Sequence, residues 1–337
     1  MTSATAPGLE LVCPAGSPAM LKAAIEAGAD SVYCGFRDET NARNFPGLNF
    51  SPEELQAATD WAHDRGARVL LALNTFARAD ATDLWRASAD TAAGAGVDAV
   101  IAADLAVLSH MRANHPGVRL HLSVQAAAGT PEAIAFYARE YGVKRVVLPR
   151  VLSVEEIRTL TPEIAVETEA FVYGGLCVMA EGRCALSSYA SGRSPNLSGV
   201  CSPPEAVSFT DDHGERTTRL SGFAIDRLPA GEVGGYPTLC KGRFRGGGSG
   251  EAAYLFEDPV SLNAMSLLAG LARAGVTAVK IEGRQRGRAY VARVTAAFRA
   301  AIDAIGRGES PALYESLLGD LAEGARETTG AYRKRWR

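Results

Sequence analysis

Four cysteines have the residue type and setting of a soft metal centre: Cys177, Cys184, Cys201 and Cys240, spaced C-x6-C-x16-C-x38-C. None belongs to a CxxC pair. Structural zinc sites usually present two closely spaced pairs on tight knuckles, so the spacing counts against one. Iron–sulfur clusters accept thiolates that arrive from separated positions, and soft thiolates suit either centre. The bland alternative is four unrelated small core residues. Cys13 and Cys34 read that way, each within an apolar stretch and without a second thiol nearby in sequence.

A second group is polar. Asn74, Asp104, Gln125, Arg150, Glu169 and Glu282 stand at or near the C-terminal ends of strand-like runs. The run "KIEGR" sets Lys280, Glu282 and Arg284 at alternate positions, hence on one face of a strand. Three charges on one face of a buried strand must pair internally or bind a ligand. The loop "RDETNARNFPGLNF" bunches Asn41, Arg43, Asn44 and Asn49, as either an anion-binding loop or a well-bonded turn. The candidate binding set is therefore Asn41, Arg43, Asn74, Gln125, Arg150, Lys280, Glu282 and Arg284. Arg43, Arg150, Lys280 and Arg284 are the partners for ligand carboxylates. No catalytic residue is assigned. The H-E-x-x-H, G-x-S-x-G, G-x-G-x-x-G and GKS/GKT motifs are all missing. His63 and His110 read as surface residues on helices, and His121 as a core histidine.

Positioning these groups calls for a repeating scaffold. Eight strand candidates occur at 9–16, 31–36, 67–75, 98–105, 118–125, 144–150, 164–175 and 277–284, mostly separated by amphipathic helices. Ser17–Pro18, Ser51–Pro52 and Thr130–Pro131 mark helix starts, and Ser153 stands before two acids. Nearly continuous apolar strands alternating with helices give parallel β-α units. Eight such units predict a (β/α)8 barrel, with an open doubly wound sheet as the runner-up. The rhythm breaks at about 176–258, which holds the four clustered cysteines and much of the Gly and Pro, with too little apolar periodicity for a core. The organisation expected is residues 1–175 for the first seven strands, 176–258 for a cysteine-bearing insertion, and 259–337 for the eighth strand and terminal helices, with a helix on "SLNAMSLLAGLARAG" before that strand and helices on "RAYVARVTAAFRAAIDAIG" and about 310–325 after it. An insertion after strand 7 falls on the face that carries barrel active sites.

The totals set bounds. With 35 Lys and Arg against 38 Asp and Glu, the net charge is −3, which argues against nucleic acid as the main partner. No run of about 18 apolar residues suggests a membrane span, and the first residues do not read as a signal peptide. The expectation is a cytoplasmic protein whose thiols stay reduced.

Several stretches carry a resemblance: "ELVCPAGSPAMLKAAIEAGADSVYCG", "TNARNFPGLNFS", "VVLPRVLS", "GGLCVMAEGRCALSSY", "GYPTLCKGR", "AVKIEGRQRGRAYV" and "TTGAYRKRW". Together they resemble the U32 "peptidase" family over nearly the whole chain, in particular its ubiquinone-biosynthesis branch. The resemblance implies a [4Fe–4S] cluster on Cys177, Cys184, Cys201 and Cys240. It also implies a heterodimer with a UbiV-like sister protein and oxygen-independent hydroxylation of a prenylated quinone precursor. Prephenate is implied as oxygen donor, and a sterol-carrier-type lipid-binding protein as accessory. Other relatives hydroxylate RNA bases and tend to be longer, with further C-terminal domains. The alternatives to a quinone role are therefore an RNA-base hydroxylation factor and a cysteine-ligated zinc scaffold or protease-like protein.

Overall fold

The computed structural model describes residues 8–177, 179, 184–195, 200–232, 234–246, 250–323 and 326–334. Seven parallel strands follow one another: β1 (Glu10–Pro14), β2 (Ser31–Cys34), β3 (Arg68–Leu73), β4 (Ala99–Ala102), β5 (Arg119–Leu122), β6 (Arg145–Val147) and β7 (Glu167–Gly175). Between them run α1 (Pro18–Glu26), α2 (Pro52–His63), α3 (Thr82–Gly94), α4 (Leu105–Asn114), α5 (Pro131–Tyr141) and α6 (Val154–Leu160). The helix starts follow the chemistry expected of them. Ser51 and Ser153 form capping boxes with Glu54 and Glu156, and Ser17 and Thr130 cap helices that open on proline. Asp104, one of the strand-end polar residues, caps α4 by accepting from the amides of Ala106 and Val107.

After β7 the chain builds a separate layer: α7 (Leu186–Ser191), then an antiparallel sheet of β8 (Val207–Asp212), β9 (Glu215–Leu220) and β10 (Phe223–Pro229). The expectation that this insertion has too little apolar periodicity for a core is corrected here. Leu220, Ile225 and Ala190 form a small buried cluster, packed by Val207, Leu239 and Phe244. A short pair follows, β11 (Arg243–Phe244) with β12 (Ala253–Tyr254).

The barrel then closes. β13 (Ser261–Asn263) lies antiparallel to the end of β7, and β14 (Ala278–Ile281) pairs in parallel with both β1 and β7. The eight-stranded parallel barrel read from the sequence is thus the fold. The stretch from 259 opens with a strand where a helix was expected, because β7 outruns the barrel rim and leaves an edge for β13 to fill. The helix α8 (Leu268–Arg273) starts later, and α9 (Arg288–Gly306) packs outside the closing strands. The helix expected near 310–325 is a 3-10 segment, Pro311–Leu318, that stops at Gly319. β15 (Glu327–Thr328) pairs with β13. The main core fills the space between strands and helices, while Val12, Tyr33, Leu70, Ala99, Ile101 and Ala278 form an apolar waist inside the barrel. No described helix is long and apolar enough to cross a membrane.

Candidate functional site

The C-terminal ends of the barrel strands deliver the polar residues to one mouth. Arg43, Asn74, Gln125, Arg150, Lys280, Glu282 and Arg284 all line a pocket of about 60 Å³ in that mouth. The alternation of β14 continues past its end, so Lys280, Glu282 and Arg284 share a face, as the "KIEGR" spacing requires. Lys280 lies lowest. Its Nζ is 2.7 Å from Glu169 Oε1 and 3.9 Å from the centroid of the Tyr33 ring. Burial pulls its pKa down, and the Glu169 carboxylate works against that shift. Glu282 accepts from the amide of Gly175 at 3.2 Å and stands 3.7 Å from Arg43 Nε. Arg284 is 5.3 Å from the same Tyr33 ring; burial pushes its guanidinium down to about 10, which leaves it cationic at neutral pH. Arg150 donates to the Gly175 carbonyl at 3.0 Å and lies over Phe171 at 4.9 Å.

Asn41 does a different job from the rest of its predicted set. It is fully buried. Its amide donates to Phe36 O and Asn49 Oδ1, and its carbonyl accepts from the Arg43 amide and from Arg284 Nη1 at 2.7 Å. Those four bonds use its whole capacity. Asn41 therefore orients two mouth arginines and has no bond left for a ligand. Asn74 is partly committed as well, accepting from the Ala42 amide at 3.0 Å. Gln125 Oε1 is buried with no partner among the described residues. An unpaired buried acceptor is costly unless a water or ligand satisfies it.

All four clustered cysteines line a second cavity of about 580 Å³ above the mouth. β7 hands the chain over the rim to Cys177. Cys184 precedes α7, where its carbonyl accepts from Ser188 Oγ at 2.9 Å. Cys201 precedes Ser202, whose hydroxyl donates to Pro237 O at 2.5 Å. Cys240 lies in a 3-10 turn, its sulfur 3.1 Å from Thr238 Oγ1. The neighbouring Lys241 is buried against Glu323, which also accepts from the Tyr236 amide at 2.7 Å. Burial pushes the Cys201 thiol up to about 11; Arg43 pulls it back, and Cys177, Cys184 and Cys240 each push it higher. The four sulfurs thus feel one another. Yet among the described residues no three of them gather within 4.8 Å. Tetrahedral zinc with bonds of about 2.3 Å would bring its sulfurs to about 3.8 Å from each other. Soft thiolates around one opening suit an iron–sulfur cluster, or a zinc ion that draws them closer. Cys13 and Cys34 lie elsewhere, buried in β1 and β2, with thiols pushed up to about 12 by burial. They are inert core residues.

The two cavities meet. Arg43, Gln125, Arg150 and Glu282 line both of them. Around the mouth pocket four cations (Arg43, Arg150, Lys280, Arg284) meet two carboxylates, Glu282 beside Arg43 and Glu169 beneath Lys280, so the described lining carries a positive excess suited to an anion. A larger cavity of about 760 Å³ lies under β8–β10, but its lining mixes acids and bases without such convergence. The sequence reading missed Tyr33 and Phe171, the aromatic floor beneath the cations; their alternation with Ser31 and Glu169 was the available signal. It also missed the Lys241–Glu323 pair, whose partners are 82 residues apart.

Comparison with known proteins gives a family and several relatives. The profile of the family described as peptidase family U32 matches residues 16–333. An uncharacterized protease of Methanocaldococcus jannaschii is 33% identical over 88% of this chain and 66% of its own length. A tRNA hydroxylation protein P1 of Bacillus subtilis is 29% identical over 88% of this chain and 63% of its own length. A tRNA hydroxylation protein P of Escherichia coli is 30% identical, over 92% of this chain and 72% of its own length. The chain spans less than two thirds of the length of the first two relatives.

Proposed function

The chain belongs to peptidase family U32, and from that premise we propose that it is a hydroxylation factor with an iron–sulfur cluster next to an anion-binding barrel mouth. One observation carries the reading: the four-cysteine cavity and the cationic mouth pocket are joined through Arg43, Gln125, Arg150 and Glu282. Hydroxylation is what two of the relatives are named for, and the lack of a serine or zinc protease motif supports it over the family's peptidase label. Cys177, Cys184, Cys201 and Cys240 would hold a [4Fe–4S] cluster, which supplies electron transfer when bound. Arg150 and Arg284 bind the carboxylates of the oxygen donor, with prephenate as the donor proposed. Asn41 holds Arg284 in place. Gln125 offers its unpaired carbonyl to a donor hydroxyl.

The substrate we favour is a prenylated ubiquinone precursor, with the chain acting as the UbiU-type subunit of a heterodimer with a UbiV-like protein. A sterol-carrier-type protein would present the lipid. The net charge of −3 supports a small-molecule substrate over RNA. The names of the tRNA-hydroxylating relatives favour a second reading, an RNA base as substrate. One measurement tests the cluster and another separates the two substrates. Protein purified without oxygen should be brown, with broad absorbance near 400 nm that is lost in Cys177→Ala; a colourless protein holding one zinc per chain would sink the cluster. Deleting the gene should abolish ubiquinone in cells grown without oxygen and leave hydroxylated nucleosides of tRNA and rRNA intact. The reverse pattern assigns the RNA substrate.

A further inference from the structure

Away from the mouth, three side chains of ligand type meet on the outer helices. Asp90 stands on α3, His110 on α4, and His115 is the C-cap of α4. The Nε2 atoms of both imidazoles lie 2.6 Å from the same Oδ1 of Asp90. Their ligand atoms all fall within 4.8 Å of one another, the one such trio among the described residues.

This meeting is not a by-product of helix periodicity. Positions five apart on a continuous helix point about 140° away from each other. Here Pro116 disfavours the helical conformation at His115, which takes φ −132° and ψ 54°. The break swings the second ring back beside the first, with centroids 6.0 Å apart and planes tilted by 58°. The Asn114 carboxamide, 3.2 Å from His110 Nδ1, supports the first ring from behind. The backbones that carry the trio are also fixed. Trp85, Ala89 and Ala92 of α3 and Val107, Leu108 and Met111 of α4 are all buried. The ligands are therefore presented by rigid elements, while Asp90 stays 52% exposed and leaves the point of convergence open to solvent.

The geometry points to a second metal site: a His2Asp centre for Zn2+, formed by Asp90, His110 and His115, that pins α3 to α4 on the outside of the barrel. Two imidazoles and one carboxylate form a borderline donor set that suits zinc and its late first-row neighbours, whereas Mg2+ and Ca2+ prefer all-oxygen sites. Three protein ligands leave a coordination position for water. The site shares no residue with the cysteine cavity and does not depend on what that cavity binds.

The cysteines also attract zinc, so the test must read the ligand type. Zinc would be added at micromolar free concentration to anaerobically purified protein, and its X-ray absorption fine structure recorded. The expected result is one equivalent of zinc with a nitrogen and oxygen shell at about 2.0–2.1 Å, distinct from sulfur at about 2.3 Å. His110→Ala/His115→Ala should lose that equivalent and keep any sulfur-bound metal. Losing a ligand should exceed the cost of losing an outer partner, so Asp90→Asn should weaken zinc binding by more than about tenfold. Zinc should raise the melting temperature of the unaltered protein and not that of Asp90→Asn. If the double variant proves misfolded in metal-free melting, Asp90→Asn alone decides. Zinc bound only through sulfur, or held equally well by Asp90→Asn, would reduce the trio to an ion-paired clasp and overturn the site.

Discussion

At Gly174 the chain holds φ at +117°, and a Cβ there would stand 2.6 Å from the Glu282 carbonyl oxygen and 2.7 Å from the Glu282 Cβ. The backbone conformation and the close approach independently exclude a side chain. This contact presses the end of β7 against β14, where Glu282 meets the Gly175 amide and Arg43. Gly174→Ala should therefore destabilise the protein by at least about 2 kcal/mol in urea unfolding, from strain plus overpacking. A change below about 0.5 kcal/mol, the range of an ordinary surface substitution, would show that the two strands part cheaply. The neighbouring residues show how far single positions can be read from sequence. Asn41 and Arg43 are two polar residues of one loop, and composition gives no ground for separating them. What separates them is Arg284, 243 residues away, whose guanidinium takes the Asn41 carbonyl and turns Asn41 into a prop. By contrast Lys280, Glu282 and Arg284 were legible together, because strand periodicity alone sets them on one face.

The elements divide in the same way. Barrel strands and capped helices were legible because their signals are local: apolar runs, Ser–Pro starts, acids in the first turn. The insertion hid its sheet, since β8 is largely exposed and its neighbours bury few residues. A local signal did exist. His213–Gly214 and Ser221–Gly222 each take positive φ at both positions and link the three strands as two-residue hairpins. Nothing local announces β13, which forms because β7 offers an edge. The insertion is tied down by one distant carboxylate. Glu323 pairs with the buried Lys241 beside Cys240 and also holds the Tyr236 amide. Glu323→Gln leaves the Lys241 ammonium buried without its counter-charge, which costs about 3–5 kcal/mol for pairs of this kind. The loss should fall on the Cys240 turn, while the far-UV dichroism of the barrel stays unchanged. If the four cysteines hold the cluster proposed above, iron should then escape faster from anaerobically held protein challenged with a chelator. Equal iron retention and equal stability would show that the cysteine layer stands without this pin.

At the scale of the whole molecule the barrel interior is polar at both ends and apolar at its waist, and the lower end makes the fold sensitive to acid. Arg145, 4% exposed, pairs with Glu10 at 2.6 Å, Glu167 at 2.7 Å and Glu169 at 3.3 Å. Burial alone would raise the Glu10 carboxyl, but the hydrogen bond and charge of Arg145 outweigh it and hold the group below its ordinary 4.5. His121 lies in the same interior, both ring nitrogens without partners among the described residues. Burial, with Arg145 and Lys280 adding to it, holds its pKa well below the ordinary 6.5. The sign follows from which state takes up the proton. Just below pH 6.5 the unfolded chain protonates His121 and the folded chain does not, so acid favours unfolding. Glu10 adds a second loss of the same sign only below pH 4.5, where the unfolded carboxyl protonates first. Between about pH 7.5 and pH 5.5 the His121 contribution therefore acts without that of Glu10. His121→Leu should flatten the fall in unfolding free energy across that interval, whatever it does to stability at the upper end. A variant with the parent's full pH slope would mean that His121 takes up its proton inside the folded barrel, and that its surroundings are wetter than the packing around Arg145 indicates.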